Sequence, residues 1–371
     1  MRSYAHSRTS LTVLVVVCGL FINLYAAVLS AAEETNHAGF VYVMTNKNSA
    51  NSVVQFRRGS DGTLAWMNEV PTGGSGTGPN GADPLGSQDA LVLSGDGQLL
   101  IAVNAASNEV SVLSARAGKL AWLSKAPSGG TFPNSVALSG DLVYVLNAHG
   151  TPNITGFRLE TNGVLHTIPN ATVDLPAGST GANDIRFAPG GDRLLVTVSG
   201  TNQILEFEVG DDGVVSSPVP QQSAGASPFG IRFGHEGVVV ISEAAGSVSS
   251  YRLSGDDSLD VISAAVTDFQ KASCWISVTR SRRNAYVSNT ASGTLSSYSI
   301  GPNGDISLLK SIATSTAGPP IDSTLSRDSR FLYVEESPLG EVQIFRVDAA
   351  DLIPIGQVIS LPAGIQGIAA Q

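Results

Sequence analysis

Seven times along the chain, a hydrophobic strand ends in a polar residue, passes through a short loop and returns as a second alternating strand. The copies read VYVMTN…NSVVQF, LLIAVNAASNEVSVL, LVYVLNAHGTPNITGF, RLLVTVSGTNQILEF, GVVVISEAAGSVSSY, NAYVSNTASGTLSSY and FLYVEESPLGEVQIF. A unit of this kind cannot bury its apolar face alone, so the copies must stack on one another. The polar residues that end the first strands are Asn46, Asn104, Asn147, Ser199, Ser242, Asn289 and Glu336, spaced by 58, 43, 52, 43, 47 and 47 residues. That period fits a four-stranded blade. Alternation at period two, with Gly and β-branched residues crowding each segment, excludes a helical reading. Asp61-Gly62, Asn162-Gly163, Asp212-Gly213 and Asn303-Gly304 follow the second strands. Such pairs take up positive φ at little cost, as hairpin turns require.

A further strand precedes every copy but the first: SQDALVLS, PNSVALS, ANDIRFA, PFGIRFG, SCWISVT and PIDSTLS. The C-terminal GIQGIAAQ supplies the one the first copy lacks. The pattern predicts an all-β chain, a seven-bladed β-propeller over residues 38–371, with the ring closed by the C-terminal strand. Residues 364–371 are expected beside residues 40–70, which removes an open sheet edge. A β-sandwich with regular strands is the competing arrangement; seven registered copies and a wrap-around strand argue against it. Leading strands line the channel of a propeller, and alignment puts Asp89, Asn134, Asn183, Phe229, Cys274, Ile321 and Gln366 at one level around the channel mouth. A slip of one residue would turn each of them outward.

The N-terminus reads as an export signal over residues 1–32. Arg2 and Arg8 give a positive start, Leu11 to Leu20 is an apolar run, and Ser30-Ala31-Ala32 offers small residues for cleavage. A retained membrane anchor is the alternative, since Phe21 to Leu29 prolongs the apolar stretch, although Asn23 interrupts it. Cleavage implies a secreted or periplasmic protein with a linker at 33–37 and no membrane contact afterwards. It also moves the net charge from −10 to −12, because the lost segment holds two arginines and no acid. So acidic a chain is an unsuitable partner for nucleic acid or anionic lipid. Of two cysteines only Cys274 remains, so no internal disulfide supports the fold.

Several residues near the expected mouth are able to carry chemistry. Asp89 is a candidate general base or metal ligand, or a solvated channel residue. Cys274 is a candidate nucleophile, but a thiolate needs a base or a positive neighbour, and no His falls on the ring. Phe229 and Trp275 can stack on a ligand or pack at blade junctions. Asn134, Asn183 and Gln366 offer amides to a ligand. Glu336, beside Glu335, and Glu243 in the matching loop can hold a cation across a narrow mouth or form a solvated rim. His149 is the best placed of five histidines. No HExxH, Cys/His metal spacing, phosphate-binding Gly loop or GxSxG occurs, so neither metal nor cofactor is expected.

The segments YVLN and YVSN, with ASPFGIRF and ASCWISVT, resemble the seven-bladed lactonase-type propellers. That family includes bacterial 6-phosphogluconolactonase and fungal carboxymuconate lactonizing enzyme. The resemblance covers about residues 38–371 and implies the propeller fold. It also implies a mouth site at which this chain departs from the family pattern. Where the family has a His and then an Asp, this chain has Asn183 and Val198. Where it has Gly-Pro-Arg-His, this chain has Ser227-Pro228-Phe229-Gly230. Where it has Asn-Arg-Gly, this chain has Asn289-Thr290-Ala291. Glu243 alone matches, in SEAAG.

Two readings follow. One is an exported binding propeller that takes a small molecule or a protein at the channel mouth. The other is a lactone hydrolase or cycloisomerase with a rearranged site, using Glu243, Asp89 and His149, with Glu336 in support. A cell-surface structural role is a third possibility.

Overall fold

The computed structural model describes residues 37–255 and 258–371; the leader expected over 1–32 lies outside the described residues. The chain forms seven four-stranded antiparallel sheets arranged around an axis, as the repeat predicts. In chain order the blades are residues 37–71, 91–127, 131–174, 182–222, 228–267, 273–315 and 323–360, and residues 368–370 complete the first. Each later blade begins at its inner strand and works outward. The second strands are the most deeply buried, as LLIAVN, VVVISE and FLYVEE show along their full length. Strands covered on both faces need near-continuous hydrophobic sequence, and these have it. The outer strands, such as LAWMNEVP, alternate between half-buried and exposed positions.

Neighbouring blades are tied by a recurring device. A second-strand tyrosine reaches across to the hairpin turn of the next blade: Tyr144 Oη donates to the Gly213 carbonyl at 2.7 Å, and Tyr333 Oη to that of Gly62 at 3.2 Å. The turn glycines are required twice over. Gly62 has φ +90°, and a Cβ there would lie 2.3 Å from the Phe331 ring of the seventh blade. Only glycine combines that conformation with so close an approach.

The C-terminal strand Ile368–Ala370 pairs antiparallel with the first blade, Val43 opposite Ile368 and Val41 opposite Ala370. Two further contacts fasten the seam. The Gln357 side chain bonds both backbone groups of Leu64, at 2.7 and 2.9 Å, and Gln371 Nε2 donates to Gly97 O of the second blade at 2.9 Å. The first sheet therefore depends on the last residues of the chain. Deleting residues 364–371 is expected to abolish the cooperative thermal transition of the whole ring. Circular dichroism melts of the truncated and full-length proteins check this, and an unchanged melting temperature would contradict the seam.

Candidate functional site

The inner strands run from the mouth of the channel toward its far end. Four of them carry an irregularity at the level aligned from the sequence: at Asn134, at Asn183, at Phe229-Gly230 and at Cys274. A bulge leaves one residue unpaired in the ladder and re-aims its neighbours. Here it frees polar groups around the mouth, and those groups meet another part of the chain.

Residues 83–88, between the first blade and the second, lie across the mouth and are gripped from several sides. Gln366 accepts from Leu85 N at 2.8 Å and donates to Ser87 O at 2.9 Å and to Asp83 at 2.7 Å. Asn183 Nδ2 donates to Gly86 O at 2.7 Å, and Trp275 Nε1 to Ser87 O at 2.8 Å. Asn134 Nδ2 donates to Ala182 O at 2.9 Å, while the Asn134 backbone carbonyl accepts from Ser87 Oγ at 2.7 Å. Gln88 spans the channel. Its N–H donates to Asn183 O, and its side chain makes a two-way pairing with the backbone of Ile276 at 2.9 and 3.2 Å. Gly230 completes the cradle, because a Cβ there would lie 2.1 Å from Gln88 Oε1. Ser87 and Gln88 are fully buried. The side-chain nitrogens of Asn134, Asn183 and Gln366 are thus given to the chain's own groups, while the Asn134 and Asn183 side-chain oxygens are buried without a partner among the described residues.

The remaining sequence candidates are dispersed. Phe229 and Trp275 meet edge to face at 4.9 Å in a buried cluster with Cys274 and Ile321. Burial, reinforced by the Asp83 carboxylate, pushes the Cys274 thiol well up, away from the thiolate a nucleophile needs. Glu243 is fully buried; it accepts from Gly225 N at 3.1 Å and from Ser247 Oγ, and burial raises its pKa. A Cβ on Gly225 would lie 1.9 Å from that carboxylate, so the loop closes directly over it. Glu336 is also buried and raised, held by Gln343 Nε2 at 2.8 Å. His149 is exposed on the rim, stacked at 3.9 Å on Phe132. Glu243, Asp89 and His149 therefore do not converge on one reacting atom. The described residues contain no cluster of three or more His, Cys, Asp or Glu able to hold a metal ion.

Asp89 points elsewhere. Its carboxylate takes a bidentate pair from Arg232 at 2.9 and 3.0 Å and a third bond from Arg186. The two guanidiniums hold it below the usual carboxylate range against the opposing effect of burial. Three more acids lie nearby. Asp184 accepts from Ile231 N at 2.8 Å and Ser135 Oγ at 3.2 Å; Asp322 accepts from Ser323 N; Glu335 accepts from Gly367 N at 3.0 Å. Burial and the neighbouring Asp89 charge raise Asp184 to about 8 and Asp322 well above its ordinary value. Burial, then the Asp322 charge, raises Glu335 similarly. Sequence reasoning missed both arginines. Their signal was the tripeptide Ile-Arg-Phe at residues 185–187 and again at 231–233, in the same register of adjacent inner strands. It also missed residues 83–88, although the first repeat spacing, 58, is the longest of the six.

Two outcomes follow from this geometry. Gly230→Ala forces its methyl against Gln88, an overpacking that costs about 1–3 kcal/mol. The cost is expected to shrink in a Gln88→Ala background, as denaturant melts of the single and double variants will report. Asp184 binds its proton more tightly folded than unfolded, where its pKa is ~3.9. Its stabilising contribution is therefore complete at low pH and lost as pH rises toward its folded value of about 8. Asp184→Asn keeps the bond from Ile231 and removes the titration, so its melting temperature is expected to fall less than that of the unsubstituted protein between pH 5 and 8.

Comparison with known proteins agrees with the architecture. A search of curated protein sequences finds no match. Among solved structures, a protein from Bacteroides fragilis assigned as a 6-phosphogluconolactonase superposes with a TM-score of 0.73 at 20% identity, covering 90% of this chain and 98% of the other. The periplasmic gluconolactonase of Pseudomonas aeruginosa superposes with a TM-score of 0.70 at 15% identity, covering 90% and 100%. At these identities the likeness is one of fold. The family described as lactonase, 7-bladed beta-propeller matches residues 35–176 and 185–361, and the chain belongs to that family.

Proposed function

We propose that this chain is an exported lactonase-family propeller that binds without hydrolysing lactones. One observation carries the reading: the mouth of the channel is occupied by residues 83–88, held by Asn134, Asn183, Trp275 and Gln366. Hydrolysis of a lactone needs a reacting carbonyl within reach of a base and of oxyanion donors. Here the Asn183 and Trp275 donors already serve Gly86 and Ser87, Gln366 is taken by Leu85 and Ser87, and the family-matching Glu243 lies beneath Gly225.

The replacements noted in the sequence support the same conclusion. Gly230 stands where the resemblance implies His, and the space a side chain would take there belongs to Gln88. Phe229 and Thr290 stand where it implies Arg, which removes bidentate partners for an anionic substrate. Export rests on the leader at residues 1–32. A partner that approaches from this side meets the rim, including the stacked Phe132 and His149, and not an open funnel.

The test is a panel of lactones, among them gluconolactone and 6-phosphogluconolactone, followed by proton release at constant pH. The full-length protein is expected to release protons no faster than buffer. Turnover that disappears in Glu243→Gln would overturn the proposal and restore the enzymatic reading.

A further inference from the structure

Beyond Asp89 the channel opens again. At the end away from the mouth lies a cavity of about 370 Å³, lined by residues from all seven blades. That volume falls in the range of small-molecule sites. Its inner end is the pair Arg186 and Arg232. Arg232 is largely committed, giving both terminal nitrogens to Asp89 and one also to Ile231 O, with its side chain 14% exposed. Arg186 is different. It gives Nη1 to Asp89, its side chain is 34% exposed, and its Nε and Nη2 have no partner among the described residues. A guanidinium with an open fork, in a site walled by protein, suits a planar carboxylate.

The charges around it point the same way. The acids close to the arginines are Asp89, Asp184 and Asp322, with Glu335 beyond Asp322. The guanidiniums favour the charged form of Asp89, while burial pushes the other three toward the neutral form. Arg232 also lies 3.7 Å from the Asp184 carboxylate, so Arg186, which gives a single nitrogen to Asp89, is the guanidinium with capacity left to offer on the axis of a chain whose net charge is −10. The rest of the wall is mixed: a collar of partly exposed apolar side chains, Val92, Leu93, Leu138, Val278, Leu325 and Ala370, is interspersed with Ser277, Ser323 and Thr324. A site with one cationic point and apolar side chains along part of its wall favours a small anion that carries a short apolar body.

We propose that this cavity binds a small organic monocarboxylate, its carboxylate on the free edge of Arg186 and its apolar body within the collar. The site is distinct from the mouth, so the outcome is independent of whether lactones are turned over there.

Hexanoate is the probe, titrated calorimetrically into the full chain, with hexylammonium and inorganic phosphate as comparisons. Saturable one-to-one binding of hexanoate is expected, weakened at least tenfold in Arg186→Gln, with no heat from hexylammonium. Leu138→Glu places a like charge in the collar at a half-buried position and is expected to weaken binding similarly while the circular dichroism spectrum is unchanged. Absence of saturable hexanoate binding would overturn the site, as would equal affinity in Arg186→Gln with the fold intact. Phosphate bound as tightly as hexanoate would overturn the role of the apolar collar.

Discussion

A blade in this ring buries both faces only if it has a neighbour on each side, and the first blade gains its inner strand from the last residues of the chain. Three ladder positions, 41–43 against 368–370, hold that strand. The loop closed by this pairing is nearly the whole chain, but closure entropy grows only with the logarithm of loop length. A short seam therefore suffices when side chains reinforce it. Gln357 does so on the outside through Leu64, Tyr333 through Gly62, and Gln371 by reaching past the first blade to Gly97. The one cysteine among the described residues, Cys274, is free, and these contacts and the packing between blades close the ring.

Once the ring is closed, its axis is a narrow polar space, and the two ends of that space are treated differently. At the mouth, neutral amides from several inner strands satisfy the backbone of residues 83–88. Buried main-chain groups need partners, and the ring supplies them without bringing charge into the interior. Deeper in, Asp89 is the pivot: its backbone continues the mouth segment, in the left-handed region at φ +61°, and its carboxylate gathers two arginines. Three further acids lie beside it, and burial pushes each toward its neutral form, which lowers the cost of unpaired buried charge on the axis.

The ring was legible because it repeats. Strand identity, blade number, the closing strand and the level of Asn134, Asn183 and Gln366 all follow from copies that can be laid over one another. What the repeat could not carry was what departs from it. Residues 83–88 belong to one inter-blade connection alone, and nothing local to them says that they fold inward. Asp89 sat on the aligned level, yet its direction depends on two arginines in other blades. Glu243 and Glu336 were found at loop positions that in an open funnel would face solvent; here Gly225 covers the first, and the second is buried against Gln343. For residues 83–88 and Asp89 the deciding contact joins distant parts of the chain; for Glu243 and Glu336 it comes from 18 and 7 positions away, through loop shapes that the strand pattern does not specify.

The mouth segment also imposes an order of assembly. Gln88 finds its partner in Ile276, 188 positions later, and Asp83 is held by Gln366, 283 positions later. Contacts of such separation form late, after the local hairpins. A chain emerging from its N-terminus must therefore carry residues 81–88 without their full set of partners while six more blades are made and placed. Their sequence, Gly-Ala-Asp-Pro-Leu-Gly-Ser-Gln, suits that wait: one large apolar residue, a proline and two glycines give it little tendency to pair as a stray strand with other chains. The last piece to settle is thus composed so as to do no harm until its place exists.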